Sequence, residues 1–424
     1  MTSRIKALLS SAAVLAMTAP VLTGPAMAQD PIEIHYWQYF FEQRVNAIDA
    51  LIEQFEAENP DIDIVHTNFP YADYRTRVSA AVPAGQGPHI VQLFYGWLYD
   101  FVDAGLIQPL PTEHFDPAEI EAEYFPFVQA MNYDGEYYAL PTAVRSLALF
   151  WNRRLFEEAG LDPDDPPETL DELVEYAQAL TQRDGGGNLT QVGLTMAMTA
   201  QDHQWWREVL VRQFGGQPYS DDNTEVTYDE AGGVPATQFY VDLIREHGVS
   251  AIGFMDEPQA AFRAGRAGMH IDGSFRIGAL QDTRGLEWGV AELPSHDGVQ
   301  SNFASYWVNG ITSSAEGAEL EAASRFLAYL TSPEAMQLWL EVVGELPARR
   351  AVALTEENAN NPVYGPFIRG LEYAHATEFV NESEQRQFMV DMIDRIILQD
   401  MSVEESVNMA AEAEQSLLDD FYGE

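Results

Sequence analysis

Cysteine is missing from this 424-residue chain, which excludes disulfides, thiolate metal sites and cysteine nucleophiles together. The lipid-bearing cysteine that tethers many exported proteins is excluded with them. Lysine occurs once, at Lys6, and there are only 22 basic residues against 67 acidic ones. Phosphate backbones need basic neutralisation, so nucleic acid is not a partner. Beyond the N-terminus no apolar run is long enough to span a bilayer, and no internal repeat recurs. The nine histidines include no pair at metal-ligand spacing on a helix. No G-x-S-x-G elbow and no P-loop is present. The single Asp184 and Asn188 around Gly185-Gly186-Gly187 lack the alternating ligands of a calcium loop. No cofactor or metal is therefore expected.

What is present begins with a secretory signal over residues 1–28. Arg4 and Lys6 supply its charge, 7–22 its apolar core, and Ala26-Met27-Ala28 a small-x-small cleavage site. Removing it leaves 20 basic against 67 acidic residues, a net charge of 20 − 67 = −47. Such acidity suits either a binder of cations or a solvated surface in saline surroundings, where salt screens self-repulsion. The acids are spread along the helices rather than gathered in a block, which favours the second reading. The expected location is the periplasm, as a free protein.

Hydrophobic spacing then reads as a βαβ series. Residues 32–37 alternate as a strand, and Val45, Ile48, Ile52 and Phe55 recur at helical spacing up to Asn59-Pro60. Strands follow at 62–65 and 90–95, with a helix over 75–82 between them. That rhythm predicts a parallel sheet covered by helices. Residues 147–151 are all apolar and read as a buried strand that passes from one set of elements to the next. Asn152 ends it, and Gly160 stops the following helix. Thr169-x-x-Glu172 is a capping box, 192–198 is strand-like, and 201–206 reads as a polar-aromatic loop. Residues 287–293 read as a strand returning to the first lobe. Ser332-Pro333 opens one helix, and the tail holds two more, over 384–399 and 402–420.

Several blocks resemble the extracellular solute-binding proteins of sugar ABC importers. They are Phe55-Glu56-x-x-Asn59-Pro60, the run 84–91 (AGQGPHIV), the run 104–110 (AGLIQPL), and Asp134-Gly135-x-Tyr137-x-Ala139-Leu140-Pro141 with 151–161 (WNRRLFEEAGL). Further matches are Phe262-x-x-Gly265-x-x-Gly268-Met269-x-x-x-Gly273-x-Phe275, the strand from Trp307 to Thr312, and Gly344-x-Leu346-Pro347-Ala348-Arg349. The departures are His89 for the usual aspartate, Trp151 for tyrosine, Gly268 for alanine and Phe275 for tryptophan. The resemblance implies an α/β, two-lobed periplasmic binding protein fold of type II, with a hinge between the lobes. It divides the mature chain into a first lobe over 29–142, a second over 143–298, a return segment over 299–345 and a helical tail of the second lobe over 346–424. It also implies a monomer that delivers its ligand to the transmembrane subunits of an ABC permease.

A sugar cleft needs aromatic rings for the C–H faces of a pyranose and planar polar groups for its hydroxyls. Loops after strand C-termini are where such sheets hold ligands. Trp37 and Gln38 end the first strand, and Tyr95 and Trp97 the third. Trp205 lies in the 201–206 loop, Phe275 follows Gly273, and Trp307 opens a strand. Each competes with a plain packing role, because aromatics are more often core than cleft. By resemblance Trp97, Trp205, Phe275 and Trp307 are the stacking candidates. Arg145 and Arg349 hold vicinal hydroxyls or, through a bidentate fork, an anionic group; pairing with nearby acids is their other reading. His35, Asp202 and His203 are weaker polar candidates. The leading ligand is a mono- or oligosaccharide, and an anionic sugar or glycerol derivative is the alternative. The rival class is a secreted glycoside hydrolase, which would place two carboxylates about 5–9 Å apart.

Overall fold

The computed structural model describes residues 30–255 and 257–423, so the signal at 1–28 lies outside the described residues. Strand β1 (Ile32–Tyr39) pairs in parallel with β2 (Ile62–Phe69) and β3 (Ile90–Phe94). Helices α1 (Glu42–Glu58) and α2 (Tyr71–Ala81) make the crossovers. Helix α1 buries Ala47, Ile48, Leu51, Ile52 and Phe55 at helical spacing. Each large apolar side chain in that stripe contributes about 1.5–3 kcal/mol. Helix α2 starts four residues earlier than its spacing predicts, because Pro70 occupies the N-cap and sets the entry.

The strand Ala139–Asn152 organises the rest. At 14 residues it extends about 45 Å, long enough to belong to two sheets. Its first half pairs antiparallel with the strand Asn302–Ile311, which in turn pairs antiparallel with β3. Its second half pairs with Ala267–Gly273 on one side and Trp288–Ala291 on the other. The strand Leu189–Leu194 continues this second sheet in parallel with Ala267–Gly273, and the short strand Gln182–Arg183 pairs antiparallel at its edge. Residues 287–293 were expected to return the chain to the first lobe. Instead Trp288–Ala291 stays in the second sheet against Leu149–Asn152, and the ten-residue strand Asn302–Ile311 makes the return. Four paired residues are too few to bridge two sheets.

Pro141 sits inside the long strand without breaking it. Ala143 faces Trp307 and Pro141 faces Val308, so Thr142 is an extra, unpaired residue. Proline lacks a donor for the ladder, and a bulge is where a sheet tolerates it. The Asn152 side chain caps the next helix by accepting from the Leu155 N–H, and Gly160 ends it at φ +80°. The Thr169–Glu172 capping box and the Ser332 and Ser402 caps form as their patterns predict. Two helices, Glu382–Gln399 and Val403–Tyr422, pack on each other and on Gly233–Arg245 beside the second sheet. Among the described residues no helix is long and apolar enough to cross a membrane.

Candidate functional site

A cavity of about 300 Å³ opens where the two sheets meet. One wall comes from the first sheet and is aromatic. Tyr39 is the last residue of β1, Phe94 the last of β3, and Trp97 closes the turn that follows. Trp307 stands at the bulge, which re-aims its side chain. Its ring centroid lies 4.2 Å from Tyr39, 5.4 Å from Trp97 and 5.7 Å from Phe94. Tyr71, at the start of α2, is an exposed ring at the rim.

The facing wall is polar. Gln201 comes from the wide helical turn Met198–Asp202, and His203 and Gln204 from the link between it and a second one, Trp205–Leu210; both turns follow the strand Leu189–Leu194. Glu382 and Arg386 come from the first turns of the helix Glu382–Gln399. Phe275 follows the strand Ala267–Gly273, where the absence of a Cβ at Gly273 makes room: one would lie 2.2 Å from the ring. Arg145 projects from the shared strand, and its guanidinium lies 5.0 Å from the centre of the Phe275 ring. Arg276 lies over the same ring at 5.3 Å.

The charges around the cavity are matched. Arg145 pairs with Glu345, and Arg386 with Glu382. Arg276 donates to Asp272 at 2.7 Å, and Asp272 meets His270 at 3.0 Å. Burial, reinforced by Arg386, pushes the His203 imidazole down to about 3, so it stays neutral. Its neighbour Asp202 is pushed up to about 7 by burial, although Tyr240 and the Ala197 N–H both donate to it. Between about pH 4 and pH 7 the folded protein keeps a proton that the unfolded chain has released. Taken alone, Asp202 therefore lowers stability as pH rises through that window, by an amount on the order of 4 kcal/mol. His203, neutral in the fold but protonated in the unfolded chain between about pH 3 and pH 6.5, raises it over much the same range. Asp202→Asn is expected to remove the Asp202 contribution, so that stability rises more steeply with pH than in wild type, as read from denaturation midpoints at successive pH values. An unchanged pH profile would mean that Asp202 is ionised inside the fold.

Of the residues singled out in the sequence, Trp97, Arg145, Phe275 and Trp307 meet at this cavity, with His203 beside them. The others lie elsewhere. Gln38 is fully buried, because strand alternation turns it to the same face as Ile34 and Tyr36. Trp37 lies edge-on to Phe69 at 4.8 Å and outside the lining. Tyr95 is buried in a stack on Tyr306 at 4.6 Å. Trp205 sits in the core against Tyr240, since the expected loop is helical and turns its ring inward. Arg349 lies 4.9 Å over Tyr124, pairs with Glu123, and donates to the Thr331 carbonyl at 2.8 Å. Asp202 is buried, and His35 faces Glu33 at 2.9 Å.

The sequence reading did not single out Tyr71, Phe94, Gln204, Glu382 or Arg386. Phe94 and Tyr71 follow the strand-end rule and could have been found by it. The pair Glu382 and Arg386 looks like any exposed i,i+4 pair, and only the packing of its helix brings it to the cleft.

Residues 50–365 match the family model described as bacterial extracellular solute-binding protein. The maltotriose-binding protein of Pyrococcus abyssi is 25% identical over 347 residues, covering 80% of this chain and 71% of that protein. An sn-glycerol-3-phosphate-binding periplasmic protein of Escherichia coli is 24% identical over 352 residues, covering 77% of this chain and 76% of its own. The crystal structure of the cyclic alpha-maltosyl-1,6-maltose binding protein from Arthrobacter globiformis superposes with a TM-score of 0.81 at 24% identity, over 92% of this chain and all of that one. With the family model spanning most of its length and the fold matched over 92% of the chain, the chain belongs to the bacterial extracellular solute-binding proteins and has their two-lobed architecture.

Proposed function

We propose that this protein is the substrate-binding component of an ABC importer that captures a neutral sugar between its lobes. The observation that carries the reading is the pairing of walls. Aromatic rings of the first lobe face planar amides, a carboxylate and guanidinium groups of the second, across a cavity of about 300 Å³. Rings cover the C–H faces of a pyranose, and the planar groups meet its hydroxyls. The lobes follow the division 29–142 and 143–298, with the return at 299–345 and the tail at 346–424. Closure swings them about the two strands that pass between the sheets, and ligand contacts to both halves hold the closed form. A membrane permease then takes the solute from this free periplasmic monomer.

The anionic alternative is less well supported, because Arg349 lies outside the cavity lining and pairs with Glu123, and Arg145 is already paired. Bond cleavage is disfavoured too. Glu382 is the one carboxylate among the described residues that line the cavity, and it is engaged by Arg386. Glycoside hydrolysis calls for two.

Thermal-shift screening against neutral mono- and oligosaccharides, polyols, glycerol phosphates and sulfonated sugars tests the reading. A true ligand at a hundred times its Kd stabilises by about 2.7 kcal/mol. Neutral saccharides are expected to give the largest shifts, with no reducing sugar released. Turnover of a glycan, or shifts from glycerol phosphates alone, would overturn it.

A further inference from the structure

Glu345 lies beneath the cavity and outside its lining, on the segment that enters the short strand Leu346–Pro347 against the shared strand. It is buried, and its carboxylate accepts three hydrogen bonds. Arg145 donates from Nε to Oε1 at 2.6 Å, and its Nη2 is in ion-pair contact with the same oxygen. Arg44, from the first turn of α1, donates to the same oxygen. The Trp339 indole donates to Oε2 at 3.0 Å. Both arginines reach the ligand walls. Arg44 also donates to the Tyr39 hydroxyl, and its guanidinium lies 5.7 Å from the centre of the Trp307 ring. Arg145 lines the cavity and covers Phe275. One carboxylate thus sets the charge presented at the base of both walls.

We propose that Glu345 is the charge-selectivity residue of the cleft: by occupying Arg145 and Arg44 it reserves the site for uncharged solutes and keeps anionic ones out. The proposal rests on the sugar-binding reading. An incoming phosphate or sulfonate would need the guanidinium fork that Glu345 holds, and would meet like charge a few ångströms behind it. A hydroxyl needs only a donor or acceptor edge, and Arg145 keeps one facing the cavity. The Glu382–Arg386 pair on the opposite wall works in the same sense. Each of the two arginines lining the cavity is paired with a carboxylate, Arg386 with Glu382 and Arg145 with the Glu345 that it shares with Arg44.

The test is Glu345→Gln, which keeps the shape and removes the charge. Affinities for glucose, maltose, glucose 6-phosphate and glycerol 3-phosphate are measured by calorimetry at low salt for wild type and variant. The ratio of neutral to phosphorylated Kd is expected to move toward the phosphorylated probes by at least about tenfold, since one more positive charge faces the ligand. A variant that weakens both classes equally would make Glu345 a structural counter-ion only, and would overturn the proposal. So would a wild type that already prefers the phosphorylated probes. If wild type binds neither class, the sugar reading fails on its own. The selectivity role then stands or falls on whether the variant gains phosphate binding. Should Glu345→Gln not fold, the double variant Arg44→Gln, Glu345→Gln restores the wild-type charge count while still freeing Arg145, and a smaller shift in the same direction is expected; no shift would overturn the proposal.

Discussion

Replacing Trp307 with alanine is expected to weaken saccharide binding by about 2–3 kcal/mol, roughly 30- to 150-fold, while the protein stays folded. Trp307 is the ring on which the others of its wall converge: Tyr39, Phe94 and Trp97 all lie within 6 Å of it, centroid to centroid. Its removal strips one wall of its stacking surface and lets the neighbouring rings sag into the gap. The strand beneath does not depend on it. Tyr306 and Val308 on either side are buried, and the strand is paired along both edges. Phe275→Ala on the opposite wall is expected to act in the same direction. Calorimetry with the saccharide giving the largest thermal shift measures the loss, and a circular dichroism melt confirms the fold. Unchanged affinity in both variants would mean that this cavity is not where ligand sits.

Fold and site were not equally legible in the sequence. The βαβ series, the buried run at 147–151 and the caps at Thr169, Ser332 and Ser402 are local signals, and each forms where its pattern lies. The strands that join the two sheets were harder to read. Periodicity shows that 287–293 is extended, but not which strand it pairs with, and the pairing keeps it in the second sheet. The wide turns at Met198–Asp202 and Trp205–Leu210 were invisible for a different reason. The segment 201–206 read as a loop, yet a helical turn carries it and buries both adjacent tryptophans on different partners: Trp206 bonds to Thr237 while Trp205 packs on Tyr240. Arg349 shows the limit of motif reading. It stands next to the residues that cross between lobes, but its guanidinium turns to Glu123 and the Tyr124 ring. The site candidates that meet at the cavity are those fixed by a strand end or a bulge. Contacts made by distant helices, such as those of Glu382 and Arg386, leave no local trace.

The wall that carries Glu382 and Arg386 is held from behind by a buried ion pair, and breaking it is expected to be the most destabilising single change considered for this chain. Gln385, between those two residues in sequence, faces inward. Its side chain donates to the Glu414 carboxylate at 3.1 Å and to the Tyr219 hydroxyl at 2.8 Å. Glu414 also accepts from Arg207, from the Tyr219 hydroxyl at 2.5 Å and from Tyr228 at 3.0 Å. Arg207 and Glu414 are both fully buried. Burial pushes the Glu414 carboxyl up and Arg207 pulls it back down, so the pair depends on its partners as much as on its own attraction. Glu414→Ala leaves an uncompensated guanidinium and three polar groups without their acceptor, at a cost of about 3–5 kcal/mol. The double variant Arg207→Met, Glu414→Met removes the charge with its partner and is expected to recover most of that loss, because packed apolar groups replace an ion pair at little net cost. Urea denaturation followed by tryptophan fluorescence compares the three proteins. A single variant as stable as wild type, or a double variant worse than the single, would show that the cluster is not what fixes these helices. Saccharide affinity should track the same order. The cluster sits directly behind the turn of helix that brings Glu382 and Arg386 to the ligand, so loosening it blurs that wall before the lobe unfolds.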